Sequence, residues 1–180
     1  MSKYATLVNV LDQLRSEAPK EFKSYHALPT ELEKLDFARA KAFIHLFLKV
    51  RFGLLEFGER ERFVTDGSYD GGIDAYYIDV ETKTIFVLQS KFRTNAPNFE
   101  GKQIELKEVL KMDADRISEG MTEDEDGNKY NGKIQAMLER IKELPDPARY
   151  KWQVVLLANL KNAKPSDLKK LTGGFAAVVF

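Results

Sequence analysis

Cysteine is absent from this chain of 180 residues, and histidine occurs only twice. The lack of cysteine excludes disulfide bonds and thiolate metal sites, and it fits a reducing cytoplasm. No apolar run approaches the roughly 20 residues of a membrane-spanning helix, and the N-terminus lacks the apolar core of a signal peptide. We therefore expect a cytoplasmic protein that does not enter a membrane.

An excess of charge is also missing, since 28 basic residues balance 28 acidic ones. The chain as a whole has no bulk attraction for nucleic acid, so a surface that binds it would have to be local. The length and the hydrophobic fraction of 43% suit one domain over residues 1–180 with a sizeable core. The last residues, AAVVF, stop within a strand-like pattern. We therefore expect an N-terminal fragment of a longer protein.

Apolar periodicity and turn residues predict a mixed order of helices and strands. Thr30 and Glu33 fit a capping box at the start of the second helix, and Gly53 follows its end. The predicted helices cover residues 4–16, 30–51, 101–118, 131–143 and a segment from 165; the predicted strands cover 62–66, 74–80, 84–92, 152–160 and 176–180. This order predicts an α/β fold in which an antiparallel hairpin joins a parallel continuation.

Polar residues flank the central hairpin in a pattern that suggests chemistry. Gly71-Gly72-Ile73-Asp74 forms a turn, an apolar strand follows, and Gln89-Ser90-Lys91 ends the next strand. The strand period of two places Gln89 and Lys91 on one face. The oxygens of Asp74 and Gln89 suit Mg²⁺, and the ammonium of Lys91 suits a phosphate or a reacting water. We expect these three side chains to converge.

The turn, the apolar strand and the Gln-x-Lys sequence together resemble the PD-(D/E)XK nuclease superfamily in its Mrr-type D…QxK form. The longer sequence around this motif, TDGSYDGGIDA followed by QSKF, is similar to the N-terminal nuclease-like domain of bacterial abortive-infection phage-resistance (AIPR) proteins. The resemblance implies a restriction-endonuclease-like core of order αβββαβ. In that core a mixed central sheet is flanked by helices, and here an extra N-terminal helix is added.

The same resemblance implies a DNA endonuclease that needs Mg²⁺ or Mn²⁺ and serves in phage defence. Asp74 would bind the metal, Gln89 would complete its ligands, and Lys91 would position the attacking water. Such nucleases commonly act as homodimers. Three basic residues are expected to meet the phosphates of the nucleic acid: Lys83, Arg93 and Lys102.

Two further carboxylates keep more than one interpretation. Family members usually add a carboxylate from the preceding helix in an F-E-x-x-V pattern, which is absent here. Glu33 is either that metal ligand or a helix cap. Asp70 is a second metal carboxylate, a hydrogen-bonding partner in the loop or a plain turn residue. His45, inside an apolar helix, is expected to be a core residue. The acidic loop 121–128 lacks the acidic ends of an EF-hand and is expected to be solvated.

A second hypothesis belongs to a different class of function. The domain would bind nucleic acid or pair with another protomer while being catalytically weak. The missing helix glutamate and the neutral net charge favour this alternative. The intact set of Asp74, Gln89 and Lys91 favours the nuclease.

Overall fold

The computed structural model describes residues 2–161 and 163–180 and divides the chain into two compact units. The first unit comprises the chain up to Arg62 together with Ser90–Gln103, and the second comprises Phe63–Gln89 and Ile104–Phe180. In the described part of the chain, none of the helices is both long and apolar enough to cross a membrane.

The elements follow a mixed α/β order. The helices are α1 (Lys3–Ser16), α2 (Leu32–Phe52), α3 (Phe57–Glu61), α4 (Ala96–Gly101), α5 (Ala114–Ser118), α6 (Gly132–Lys142) and α7 (Pro165–Leu171). The strands are β1 (Ala75–Asp79), β2 (Thr84–Ser90), β3 (Lys151–Leu157) and β4 (Ala177–Val179). Short 3₁₀ turns occur at Lys23–Tyr25, Leu106–Glu108 and Pro147–Arg149.

The first unit is helical. Leu11 and Leu14 of α1 share a buried cluster with Ala42 of α2. The second helix ends at Gly53, whose φ of 69° is the left-handed conformation that a residue without Cβ adopts easily. Tyr4 of α1 contacts α4, because its backbone N–H donates to Glu100 over 2.9 Å and its ring centroid lies 5.6 Å from that of Phe99.

A buried polar network lies inside the first unit and contains His45. The Nε2 atom of His45 lies 2.9 Å from the Tyr25 hydroxyl and 3.1 Å from Glu61 Oε2. Arg60, with an exposed fraction of 0%, donates from Nε to His45 Nδ1 over 3.1 Å. Arg60 also donates to the carboxylate of Glu17. His45 is therefore a core residue, as predicted, and it is hydrogen-bonded at both ring nitrogens.

The second unit contains a four-stranded mixed sheet in the order β1-β2-β3-β4, with β1 antiparallel to β2 and β3 parallel to β4. Helices pack against it. The buried core includes Ile85 and Val87 from β2, Val154 from β3 and Ile134 from α6. The prediction of an α/β fold with a mixed sheet flanked by helices is confirmed.

Three local predictions are wrong. Residues 62–66 do not form a strand, since only an isolated bridge joins Val64 to Ala75. The helix predicted over 101–118 is divided into short pieces. There the backbone N–H of Ile104 donates to Asn159 and that of Met112 donates to Leu171, so tertiary hydrogen bonds replace helical ones. Finally, the α2 N-cap is Glu31 and it receives no side-chain cap, so the Thr30–Glu33 capping box does not form.

Candidate metal centre

Three carboxylates converge in the loop that leads into β1. Asp66, Asp70 and Asp74 each offer an oxygen, and these oxygens all lie within 4.8 Å of one another. All three residues are half-buried. We refer to Asp66, Asp70 and Asp74 as the aspartate cluster.

Backbone hydrogen bonds close this loop on itself. The carbonyl oxygen of Asp74 accepts from the N–H groups of Thr65 at 2.9 Å and Asp66 at 3.0 Å. The Thr65 hydroxyl donates to the carbonyl oxygen of Ile73 at 2.5 Å. The N–H of Asp74 donates to Leu88 of β2 at 2.8 Å. The loop ends are thus tied to each other and to the sheet, which sets the backbone positions of the aspartate cluster.

The glycine turn allows Gln89 to approach. Gly72 has a φ of 72°, and a Cβ there would lie 2.7 Å from the carbonyl oxygen of Lys111. Without that Cβ, Gln89 Nε2 donates to the carbonyl oxygen of Gly72 at 2.8 Å and to that of Leu110 at 3.2 Å. The side chain of Gln89 is thereby fixed against the turn that precedes Asp74.

The amide oxygen of Gln89 has no hydrogen-bond partner within the described residues, although the residue is only 2% exposed. A buried acceptor without a partner costs free energy, so such a group calls for an explanation. Ala75 pairs with Leu88 in the β1–β2 ladder, and the next positions along the two chains are Asp74 and Gln89. The unpaired oxygen therefore belongs to the residue opposite Asp74, as expected for a ligand donor.

Asp70 combines roles that the sequence left open. Its carboxylate accepts from the N–H of Gly72 at 2.9 Å and from that of Gly67 at 3.1 Å, which is turn chemistry. It is also a member of the aspartate cluster. Burial raises the pKa of Asp70 above its ordinary value, against the effect of these two hydrogen bonds, and the charge of Asp66 raises it further. A bound cation would act in the opposite direction.

The spacing of the oxygens suits a hard divalent cation. Ligands on opposite sides of Mg²⁺ lie about 4.2 Å apart, twice the Mg–O distance, and those of Ca²⁺ about 4.6–5.2 Å apart. The three oxygens of the aspartate cluster lie within 4.8 Å of one another, close enough for one such ion to contact all of them. Three carboxylates are an all-oxygen donor set, which these ions prefer.

Asp66 is a site residue that the sequence analysis missed. Within TDGSYDGGID the aspartates stand at positions 66, 70 and 74, at intervals of four residues. That regular spacing was the available signal. It was not informative by itself, because the segment is a loop, where a spacing of four does not place side chains on one face as it does in a helix.

Two further predicted site residues are Lys91 and Glu33. No described contact gathers them at the aspartate cluster. Lys91 is the first residue after β2 and belongs to the first unit, so its convergence with Asp74 stays a prediction. Glu33 is exposed in the first turn of α2, also in the first unit. Its role as a metal ligand likewise stays a prediction.

The three basic residues predicted to meet phosphates lie in different units. Lys83 lies in the hairpin turn between β1 and β2, at the opposite end of β1 from Asp74. Five strand residues correspond to roughly 17 Å, so Lys83 would meet nucleic acid away from the aspartate cluster. Arg93 and Lys102 belong to the first unit. The predicted role of all three in binding nucleic acid is untested.

The acidic loop 121–128 is a turn stabilised by its own side chains. Asp124 Oδ1 accepts from the N–H groups of Asp126 at 3.0 Å and Asn128 at 2.8 Å. Most of the loop is exposed, as predicted. Within residues 2–161 and 163–180, no group of three or more carboxylates or histidines other than the aspartate cluster is close enough to share an ion.

Comparisons of this chain with protein-family models, with curated proteins and with solved structures found no match.

Proposed function

We propose that this chain is a metal-dependent nuclease domain that hydrolyses phosphodiester bonds. The observation that carries the proposal is the convergence of Asp66, Asp70 and Asp74 in the loop before β1. The hairpin register sets Gln89, whose buried amide oxygen has no partner among the described residues, opposite Asp74. Asp74 and Gln89 are two of the three residues of the motif that resembles the nuclease superfamily. A hard cation would satisfy the lone oxygen and reduce the repulsion among the carboxylates.

The proposed roles of the residues follow from their chemistry. Asp66, Asp70 and Asp74 would hold Mg²⁺ or Mn²⁺, and Gln89 would contribute its amide oxygen. The ion supplies positive charge that stabilises the pentacovalent phosphate and lowers the pKa of a bound water. Lys91, which the motif alone assigns, would donate hydrogen bonds to that water or to a phosphate oxygen. Asp66 and Asp70 would supply carboxylates in addition to Asp74, so the proposal does not need Glu33.

The proposal extends to features that the resemblance implies. The mixed sheet would be a restriction-endonuclease-like core, and the substrate would be DNA in phage defence within the cytoplasm. The resemblance also implies a homodimer, which would carry two such centres. The support for these features is the motif in residues 65–93.

The test is cleavage by the purified protein. Plasmid DNA, linear DNA and RNA are incubated with Mg²⁺, with Mn²⁺ and with a chelator. We expect metal-dependent cleavage that falls at least about a hundredfold in Asp74→Asn and in Lys91→Ala, as is usual when a group that stabilises developing charge is lost. No cleavage of any substrate with either metal would overturn the proposal.

Matched controls separate the site from general charge effects. Asp126→Asn removes an exposed carboxylate of the acidic loop, and Lys20→Ala removes an exposed lysine of the first unit. Both controls should cleave like the wild type. A comparable loss in the controls would show that net charge, rather than the aspartate cluster and Lys91, determines the activity.

A further inference from the structure

An exposed aromatic ring lies on the same loop as the aspartate cluster. Tyr69 stands between Asp66 and Asp70 and is 61% exposed. The structure gives its ring no aromatic or cation contact, and its hydroxyl no hydrogen bond, with any described residue. Most of the ring surface is therefore available to a ligand.

The backbone of Tyr69 has an unusual conformation. Its φ is 59°, in the left-handed region that glycine and asparagine enter readily and that a bulky side chain rarely occupies. Such outliers persist only where the surrounding structure enforces them, and they concentrate at sites that bind or react. This conformation fixes the direction in which the Tyr69 side chain leaves the loop.

Asn131, the N-cap of α6, hydrogen-bonds to Tyr69 and to residues that precede it. The N–H of Asn131 donates to the carbonyl oxygen of Tyr69 at 2.9 Å. The Asn131 amide donates to the carbonyl oxygens of Thr65 at 3.1 Å and Ser68 at 3.2 Å. Its Oδ1 accepts from the N–H groups of Lys133 and Ile134 and so caps α6. The ring is thus presented by a segment anchored to the helix.

A neutral ring suits this position better than a basic side chain would. A lysine or arginine beside three carboxylates would pair with them and compete with a cation for their oxygens. An aromatic face can instead bind a nucleobase by stacking, which does not depend on sequence and requires an accessible base face. Bases in a duplex are stacked on each other, so the fitting ligand is an unpaired nucleotide.

We propose that Tyr69 stacks on an unpaired base and thereby positions a single-stranded nucleic acid on the aspartate cluster. The inference rests on the proposed function, since it names the substrate class of the same site. A strand held in this way places the phosphate next to the stacked base beside the metal ligands.

The test uses two substitutions that separate the ring from the backbone. Tyr69→Phe keeps the stacking face, whereas Tyr69→Asn removes the ring and tolerates the left-handed φ. Phe37→Asn removes an exposed ring of the first unit and serves as the control. Fluorescence anisotropy measures binding of a labelled DNA single strand and of the matching duplex, with Ca²⁺ in place of Mg²⁺.

We expect Tyr69→Asn to weaken single-strand binding about tenfold, within the range for loss of one stacked base, and duplex binding less. Tyr69→Phe and Phe37→Asn should bind like the wild type. In Tyr69→Asn the Mn²⁺ affinity should not change and the melting temperature should not fall. A single strand that contains 2-aminopurine should lose fluorescence on binding the wild type, because stacking quenches that base.

Equal losses on single strand and duplex, or no loss in Tyr69→Asn, would overturn the inference. So would unquenched 2-aminopurine in the wild-type complex, a result that does not depend on whether a variant folds. Wild type that binds no oligonucleotide would overturn both proposals. If the wild-type protein binds the single strand and quenches its 2-aminopurine but cleaves no substrate, the proposed function is overturned. The role of Tyr69 in binding then still stands.

Discussion

The two units of this protein gather charged residues in opposite ways. In the first unit, the buried Arg60 contacts His45 and Glu17, and Glu61 meets the Tyr25 hydroxyl, so donors face acceptors. In the second unit, the aspartate cluster brings three groups of the same charge together. The first arrangement is complete within the protein. The second lacks a positive partner among its own members.

The pKa values of Glu17 and Asp70 shift in opposite directions, in line with this difference. Burial alone would raise the pKa of Glu17, yet the hydrogen bonds from Lys49 and Arg60 lower it below its ordinary value. Burial raises the pKa of Asp70, and the neighbouring Asp66 adds to the increase. A compensated cluster stabilises the fold it belongs to. Like charges that converge raise the free energy of the metal-free fold, and a cation bound among them would lower it.

The largest effect is expected from breaking the compensated network. Arg60→Leu leaves His45 Nδ1 and two backbone carbonyls without the donor that Arg60 supplies, and Glu17 keeps only Lys49. Removal of one partner from a buried charged network costs about 3–5 kcal/mol. The melting temperature should fall by roughly 6–20 °C for a chain of this size. Arg149→Leu, at an exposed ion pair, is the control and should change little. A fall below about 2 °C in Arg60→Leu would show that the network does not stabilise the first unit.

The second effect concerns the aspartate cluster, where substitution should remove binding and spare the fold. Asp74→Asn should weaken Mn²⁺ or Ca²⁺ binding at least about tenfold, because a charged ligand is replaced by a neutral one. Calorimetry measures the affinity, and circular dichroism checks that the secondary structure is retained. An unchanged affinity with an intact fold would place the cation elsewhere.

The third effect is a pH dependence that belongs to the first unit. Burial lowers the pKa of His45 below its ordinary value of 6.5, against the influence of Glu61. Its stabilising contribution is complete above pH 6.5 and is lost as the pH falls towards the lowered pKa. Each unit of pKa difference corresponds to about 1.4 kcal/mol.

Thermal melting between pH 7.5 and 5.5 measures this contribution. The melting temperature of the wild type should fall by a few degrees more than that of His45→Gln, which cannot be protonated in this range. His26→Gln should keep the wild-type slope. Equal slopes in all three proteins would mean that His45 titrates alike in the folded and unfolded chains.

The smallest effect is a gain of stability in the aspartate cluster. Asp66→Asn should raise the melting temperature of the metal-free protein by about 1–3 °C, since it removes one like charge beside Asp70. The gain should shrink as the pH falls, because burial raises the pKa of Asp70 and its carboxylate becomes neutral. With saturating Ca²⁺ the order should reverse, because the ion stabilises the wild type more. Asp126→Asn, in the acidic loop, should show neither change.

The secondary structure was predicted most accurately from the sequence where local chemistry determines it. The β1–β2 hairpin, the stop at Gly53 and the helix after Asn131 follow from alternation, from a left-handed glycine and from a side-chain cap. The segment 101–118 was predicted poorly, because Ile104 and Met112 form backbone hydrogen bonds with residues more than fifty positions away. No local pattern encodes such contacts.

The candidate site was predicted in part for the same reason. Asp74 and Gln89 follow from the hairpin register, which is local. Asp66 joins them only because Thr65 and Asp66 donate to the Asp74 carbonyl oxygen and so fold the loop back. The hydrogen bond from Asn131 to the carbonyl oxygen of Tyr69 likewise joins distant segments of the chain.

The most direct test of a cation centre at the aspartate cluster is a Mn²⁺ titration followed by amide NMR of the ¹⁵N-labelled protein. Mn²⁺ broadens the resonances of nuclei close to it. We expect substoichiometric Mn²⁺ to broaden first the amides of residues 65–74 and of Gln89, and we expect Asp74→Asn to abolish this pattern. Broadening that begins in the acidic loop 121–128, or that is unaffected by Asp74→Asn, would contradict a cation centre at the aspartate cluster.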